Sequence, residues 1–215
     1  MMFVTSGFRI ENIFVFQIRS KKGGTMEVFI NYLQKYISLS ESEIETIKEN
    51  VYLEHVPAKT FILRAGETCK RLGFITNGVI RMFFYDTEGN EVVRCFHNEN
   101  HFFGDLSSYQ NNTISDQYIQ AVTDCSIVFF NRENDHHLYK TLEKWPLLIR
   151  KFTEKAFVQK IDRSTNLIHA DAKTKYLHFL TQHADIAQRV ALGDIASYLG
   201  IAQQSLSRIR KNMTL

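Results

Sequence analysis

Six polar side chains near the C-terminus, Gln203, Gln204, Ser205, Ser207, Arg208 and Lys211, are of the types that read duplex DNA. An arginine can bridge guanine O6 and N7, a glutamine can pair with adenine N6 and N7, and serine and lysine can hold phosphates. Such a set works only if one rigid element presents it. The stretch 192–211, LGDIASYLGIAQQSLSRIRK, has the pattern of two helices meeting at a tight turn. Ile195, Ala196 and Leu199 would face inward from the first helix, and Ala196 is small where the second helix crosses. Gly200 relieves the backbone at the turn, and Leu206 and Ile209 would seat the second helix. The six polar residues are then left pointing away from the core.

Other residues able to do chemistry form weaker patterns. His97, Glu99 and His101 lie in an HNENH run that lacks the HxH pair and the later histidine of a cupin-like metal site. They read as solvated turn residues. His136-His137 falls at an expected helix start and has no partner set in the sequence. No Ser-His-Asp set, phosphate loop or catalytic carboxylate pair emerges, so neither catalytic residues nor metal ligands are assigned and the chain is not read as an enzyme. Cys69, Cys95 and Cys125 are widely spaced without a CxxC pair and read as buried thiols of a reducing cytoplasm.

Residues 150–215 carry 11 Lys and Arg against 5 Asp and Glu, a net of +6. The other 149 residues bring the whole chain down to +3. This asymmetry marks a basic module on an acidic one and agrees with a nucleic-acid partner. The longest apolar runs, such as Val128-Phe129-Phe130, are far shorter than the roughly 18 residues of a membrane span. Residues 1–25 lack the features of a signal peptide and end in a linker-like Lys-Lys-Gly-Gly, so they read as an extension upstream of a natural start at Met26.

Three regions follow that extension. Residues 26–145 hold two helices, the second opened by the capping box Ser40-Glu41-Ser42-Glu43, and then short β-branched and aromatic runs at 60–63, 72–76, 79–85, 91–96, 117–122 and 126–130. Asn77-Gly78 and Asp86-Thr87-Glu88-Gly89 mark turns, and the rhythm is that of an antiparallel sandwich or barrel. Residues 146–170 run without Gly or Pro after Pro146 as one long helix, with Leu148, Phe152, Ala156, Phe157, Ile161 and Ile168 as an apolar stripe suited to pairing with a second copy. Residues 171–215 form the DNA-binding unit: a helix with Tyr176, Leu177 and Leu180 inward, a polar connection at 184–189, and the helix pair.

In this order of parts the chain resembles the Crp-Fnr family of bacterial transcription factors. The resemblance covers about residues 29–212 and rests on Gly66-Glu67, Phe74-Ile75-Thr76-Asn77-Gly78-Val79-Ile80-Arg81, the hairpin at 85–91, Phe103-Gly104-Asp105-Leu106 and residues 195–211. It implies an α+β fold: an N-terminal cyclic-nucleotide-binding-like antiparallel β-roll (a jelly roll), a long dimerisation helix and a C-terminal helix-turn-helix. It implies base readout by Gln203, Gln204 and Arg208, with the family's usual Glu replaced by Gln204. It also implies double-stranded DNA, a second copy of the chain, a small-molecule effector and RNA polymerase as partners of a cytoplasmic regulator. Gly104, Asp105, Leu106 and Ser115 fall on the family's ligand positions, with Asp105 a shorter acid for the ribose. Ser115 and Asp116 stand where the phosphate arginine and its hydroxyl neighbour belong, and Lys160-Ile161 does not match the polar pair of the long helix. Cyclic AMP is therefore not the expected effector, and no cofactor is assigned. The alternative keeps the β-roll as a ligand-sensing or protein-interaction module without sequence-specific DNA binding.

Overall fold

A computed structural model describes residues 22–166 and 170–213, and side chains at 25–155, 157–158 and 170–213. Residues 1–21, Ile168, and the side chains of Ala156, Lys160 and Ile161 lie outside that description. The chain opens with α1 (Lys22–Gln34) and α2 (Glu41–Glu49), followed by β1 (Tyr52–Val56), β2 (Phe61–Leu63), β3 (Arg71–Asn77), β4 (Ile80–Tyr85), β5 (Glu91–His97) and β6 (Phe102–Phe103). After α3 (Leu106–Asn111) come β7 (Tyr118–Ala121) and β8 (Cys125–Asn131). The rest is helical: α4 (Arg132–Thr141), α5 (Trp145–Asn166), α6 (Ala172–Gln182), α7 (Ala184–Arg189), α8 (Leu192–Leu199) and α9 (Gln203–Met213). This is the α+β architecture expected, a β-roll followed by a long helix and a terminal helix pair.

The strands pair antiparallel in two four-stranded sheets, β1-β8-β3-β6 and β2-β7-β4-β5. Side chains alternate across β8: Ile127 and Phe129 enter the space between the sheets with Ile75, Met82 and Ile119, while Val128 and Phe130 face the opposite way. There they meet Phe29 and Leu33 of α1, Phe74 of β3, and Trp145, Leu148 and Phe152 of α5. A strand buried on both faces reads as an unbroken apolar run, which is why 127–130 shows no alternation in sequence. A third apolar layer covers the outer face of the second sheet, where Val79, Phe83, Val93 and Phe96 pack with residues of α6 to α9.

Local signals explain several boundaries. Ser40 Oγ accepts the Glu43 N–H at 3.3 Å while the Ser40 N–H donates to Glu43 Oε2 at 2.7 Å, completing the capping box. At the β4–β5 hairpin Asp86 Oδ1 accepts the N–H groups of Glu88 and Asn90, and Gly89 takes φ +81°.

Other expectations change. Helix α1 begins at Lys22 and not at Met26, so the Gly23-Gly24 pair, read as linker, forms its first turn. The first N–H groups of a helix need no partner within it, and flexible glycines are cheapest there. The polar connection at 184–189 is helix α7, because Ile186 is buried under the C-terminal module and anchors a turn of otherwise polar residues. The stripe on α5 divides: Leu148 and Phe152 are buried against α1 and the first sheet, whereas Phe157 is 63% exposed and its neighbour Val158 is 55% exposed. Among the described residues no helix is long and apolar enough to cross a membrane.

Candidate nucleic-acid interface and sensor pocket

Helices α8 and α9 form the expected angular pair. Gly200 ends α8 in the left-handed region at φ +64°, and its N–H reaches the Ala196 and Ser197 carbonyls. The next N–H, of Ile201, returns to Ala196 O at 3.0 Å. This is the C-cap geometry that glycine adopts without a Cβ penalty. Ile195, Ala196, Leu199 and Leu206 are buried with Tyr176, Phe179 and Ile186, so α6 and α7 close the core beneath the pair. Leu206 is the one fully covered residue of α9.

The structure places Gln203, Gln204, Ser205, Ser207, Arg208 and Lys211 together on the exposed surface of α9. Gln203 leans toward the start of α8, its Oε1 lying so near Gly193 that a Cβ there would come within 3.2 Å. Arg210, absent from the expected set, adds a cation beside Lys211 in the last turn. It lies one turn after the buried Leu206, where phase alone would turn it inward, and it is exposed because the helix ends there.

A candidate ligand pocket opens in the roll as a cavity of about 560 Å³. Leu63, Phe103 and Ile119 give it an apolar wall, while Glu67, Thr68, Lys70 and Arg71 add polar and charged groups. Arg71 is engaged with Glu54, to which it forms an ion pair, and its guanidinium lies 3.8 Å from the Phe129 ring centroid.

Of the four ligand candidates, only Gly104 lines this cavity. It is glycine because a Cβ would lie 2.4 Å from Leu72 Cδ2. Asp105 is buried and caps α3, its Oδ1 accepting the Ser108 N–H at 3.1 Å and its Oδ2 accepting the Ser115 hydroxyl at 2.6 Å. Ser115 Oγ in turn accepts the Gln117 N–H at 3.1 Å. Asp105 and Ser115 thus meet, but they satisfy each other, and Leu106 points to solvent at 42% exposure. A sequence-level reading misses this because an aspartate three residues ahead of a serine is equally a helix N-cap.

The HNENH run also differs from the expected solvated turn. His97 ends β5, and Glu99 is half-buried. Glu99 accepts the Gly78 N–H at 2.8 Å and a bidentate pair from Arg189 at 2.7 and 2.9 Å. The Arg189 guanidinium holds the Glu99 carboxyl below the usual carboxylate range. Among the described residues no three His, Cys, Asp or Glu side chains converge on a metal-sized point.

Residues 53–141 match the model of a cyclic nucleotide-binding domain. The chain is 22% identical over 88 residues to the cAMP-activated global transcriptional regulator CRP of Salmonella typhimurium, a match spanning 41% of this chain and 42% of that protein. It is 21% identical over 174 residues to the CRP of Haemophilus influenzae, covering 74% and 76% of the two chains. Among solved structures, FixK2 from Bradyrhizobium japonicum superimposes with a TM-score of 0.66 at 17% identity, over 76% of this chain and 84% of that one. A transcriptional regulator of the crp/fnr family from Eubacterium rectale gives 0.65 at 17% identity, over 86% and 88%.

Proposed function

We propose that this chain, whose fold is that of Crp-Fnr proteins and whose residues 53–141 match a cyclic nucleotide-binding domain, is a transcription regulator of that type that binds duplex DNA through α9 as a homodimer. The observation that carries the reading is the exposed Gln203, Gln204, Arg208 and Lys211 surface standing on a helix pair whose opposite side is fully packed. A rigid helix with that chemistry enters a major groove, and two copies related by a twofold axis read two half-sites about one helical turn, roughly 34 Å, apart. The exposed Phe157 and Val158 on the outer half of α5 supply an apolar surface for the partner copy.

Selection of bound duplexes from a random pool tests the reading. Enrichment of a pseudo-palindrome with half-sites one turn apart is the expected result; recovery of unenriched sequences would remove it. Affinity should also fall steeply as salt is raised, since each neutralised phosphate releases counterions.

The sensor is proposed to respond to something other than cyclic AMP. A cyclic phosphate seated by Ser115 would meet a hydroxyl already donated to Asp105, with Asp116 next in the chain, and would lack a guanidinium there. Calorimetric titration with cyclic AMP should give no saturable heat, and a micromolar binding isotherm would overturn this part of the proposal.

A further inference from the structure

The C-terminal module is docked on its own sensor. Its core continues into the outer face of the second sheet, so that Phe179 and Tyr198 lie against Phe96 with ring centroids 6.3 and 5.3 Å away. Two arginine anchors bracket this layer. On one side Arg81 of β4, only 14% exposed, donates to Asp194 of α8 at 2.9 Å and to Glu91 at 2.5 Å. Its Nε and Nη2 also reach Gln120 Oε1 of β7, which fixes the guanidinium plane. On the other side Arg189 of α7 grips Glu99, just beyond β5, as described above. Between the anchors, Ser197 Oγ accepts the Val93 N–H at 2.9 Å and donates to the Glu91 carbonyl at 2.8 Å, covering the free edge of β5.

A module held at one point can swivel; one held at two points and an edge cannot. Helix α8 lies between the sensor and α9, and α9 turns its readout side to solvent in this pose. We propose that the sensor positions the reading helix directly, with Arg81 and Glu99 as positioning residues that set the orientation of α9 and hence the half-site separation the dimer accepts. This rests on the DNA-binding reading above. Two semi-buried arginine-carboxylate contacts suit such a role: the bidentate Arg189–Glu99 pair specifies orientation as well as proximity, and Arg81, held flat by Glu91 and Gln120, directs a single bond to Asp194. Loss of Arg81 would also leave Glu91 and Asp194 as adjacent uncompensated carboxylates, driving α8 off the sheet.

The test uses the full chain carrying Arg81→Ala, Glu99→Gln or both, with Asp194→Asn as a milder variant that leaves Arg81 paired to Glu91. Amide exchange without DNA should speed up over residues 91–97 and 192–199 while β3 and β8 keep wild-type protection; unchanged exchange would overturn the proposal. Duplexes carrying one half-site, or two at separations stepped by single base pairs, supply the second arm. The wild type should prefer its best separation about tenfold over neighbouring ones, and the double variant should reduce that preference to about twofold while binding a single half-site unchanged. Equal weakening on one-site and two-site DNA would mean a merely structural role and would reject positioning. If the wild-type chain enriches no duplex, the DNA reading and the positioning role fail together, while the exchange arm still decides whether the two anchors hold the module.

Discussion

Arg208→Ala is expected to weaken binding to the selected duplex by about 1 to 3 kcal/mol, roughly tenfold to a hundredfold, and to flatten the preference at one base pair per half-site. The expectation follows from where the side chain stands: exposed in the second turn of α9, one residue before Ile209 and two after the buried Leu206, so that it projects outward from a helix that cannot roll. A guanidinium in that position meets guanine O6 and N7 in a fork that no shorter side chain reproduces. Fluorescence anisotropy against a panel of single-base variants measures both parts of the effect. Unchanged selectivity would sink the base-reading role even if affinity fell. Lys211→Ala, one turn further along, serves as the contrast: it should weaken all duplexes alike and reduce the salt slope by about one counterion.

The second large effect is on stability. Trp145→Ala should lower thermal stability by about 3 to 5 kcal/mol. Trp145 is wholly buried where α4 meets α5, edge-on to Phe130 with centroids 5.9 Å apart. Its Nε1 donates to Asp135 Oδ1 at 2.8 Å. Burial already pushes the Asp135 carboxyl above its ordinary range, and the indole N–H is a partner that favours its charged form. Truncation therefore empties a large cavity and at the same time takes from a half-buried acid its closer partner, leaving the Tyr109 hydroxyl at 3.4 Å. For a chain of this size the melting temperature should drop by roughly 6 to 20 °C. Trp145→Phe, which keeps much of the ring but not the donor, should fall between, and circular dichroism melts of the three proteins would show it. A loss of less than about 2 °C for the alanine variant would contradict the packing role.

The sequence carries the elements better than it carries their contacts. Six strand segments expected from β-branched and aromatic runs appear as β2, β3, β4, β5, β7 and β8 with ends shifted by a residue or two. Strand β1 escapes such a reading because its YLEHV mixes charge into the pattern. In the fold, Glu54 of that strand pairs with Arg71, a partner 17 residues away that no local rule supplies. Strand β6 is two residues long and exists only because Phe102 and Phe103 lie beside β3. The exposed side of α9 was legible because Leu206 and Ile209 set its phase. Arg81, Glu91 and Asp194 could not be joined in advance, since Arg81 and Asp194 are 113 positions apart and each resembles an ordinary solvated charge. Asp105 shows the opposite difficulty, for a ligand acid and a helix cap have the same local signature.

The continuity between the sensor sheet and the terminal helices also bears on portability. Val79, Phe83, Val93 and Phe96 are the far wall of the core that holds Phe179, Ile195 and Leu199. A C-terminal segment excised at residue 170 would lose that wall and open these side chains to water, and an exposed apolar face of this kind invites self-association. Transplanting the reading helices onto another sensor would therefore require the recipient to bring a matching β4–β5 surface. On the proposed DNA-binding reading, specificity is a property of the joined pair, so that new operators are better sought by changing side chains on α9 in place than by exchanging whole modules.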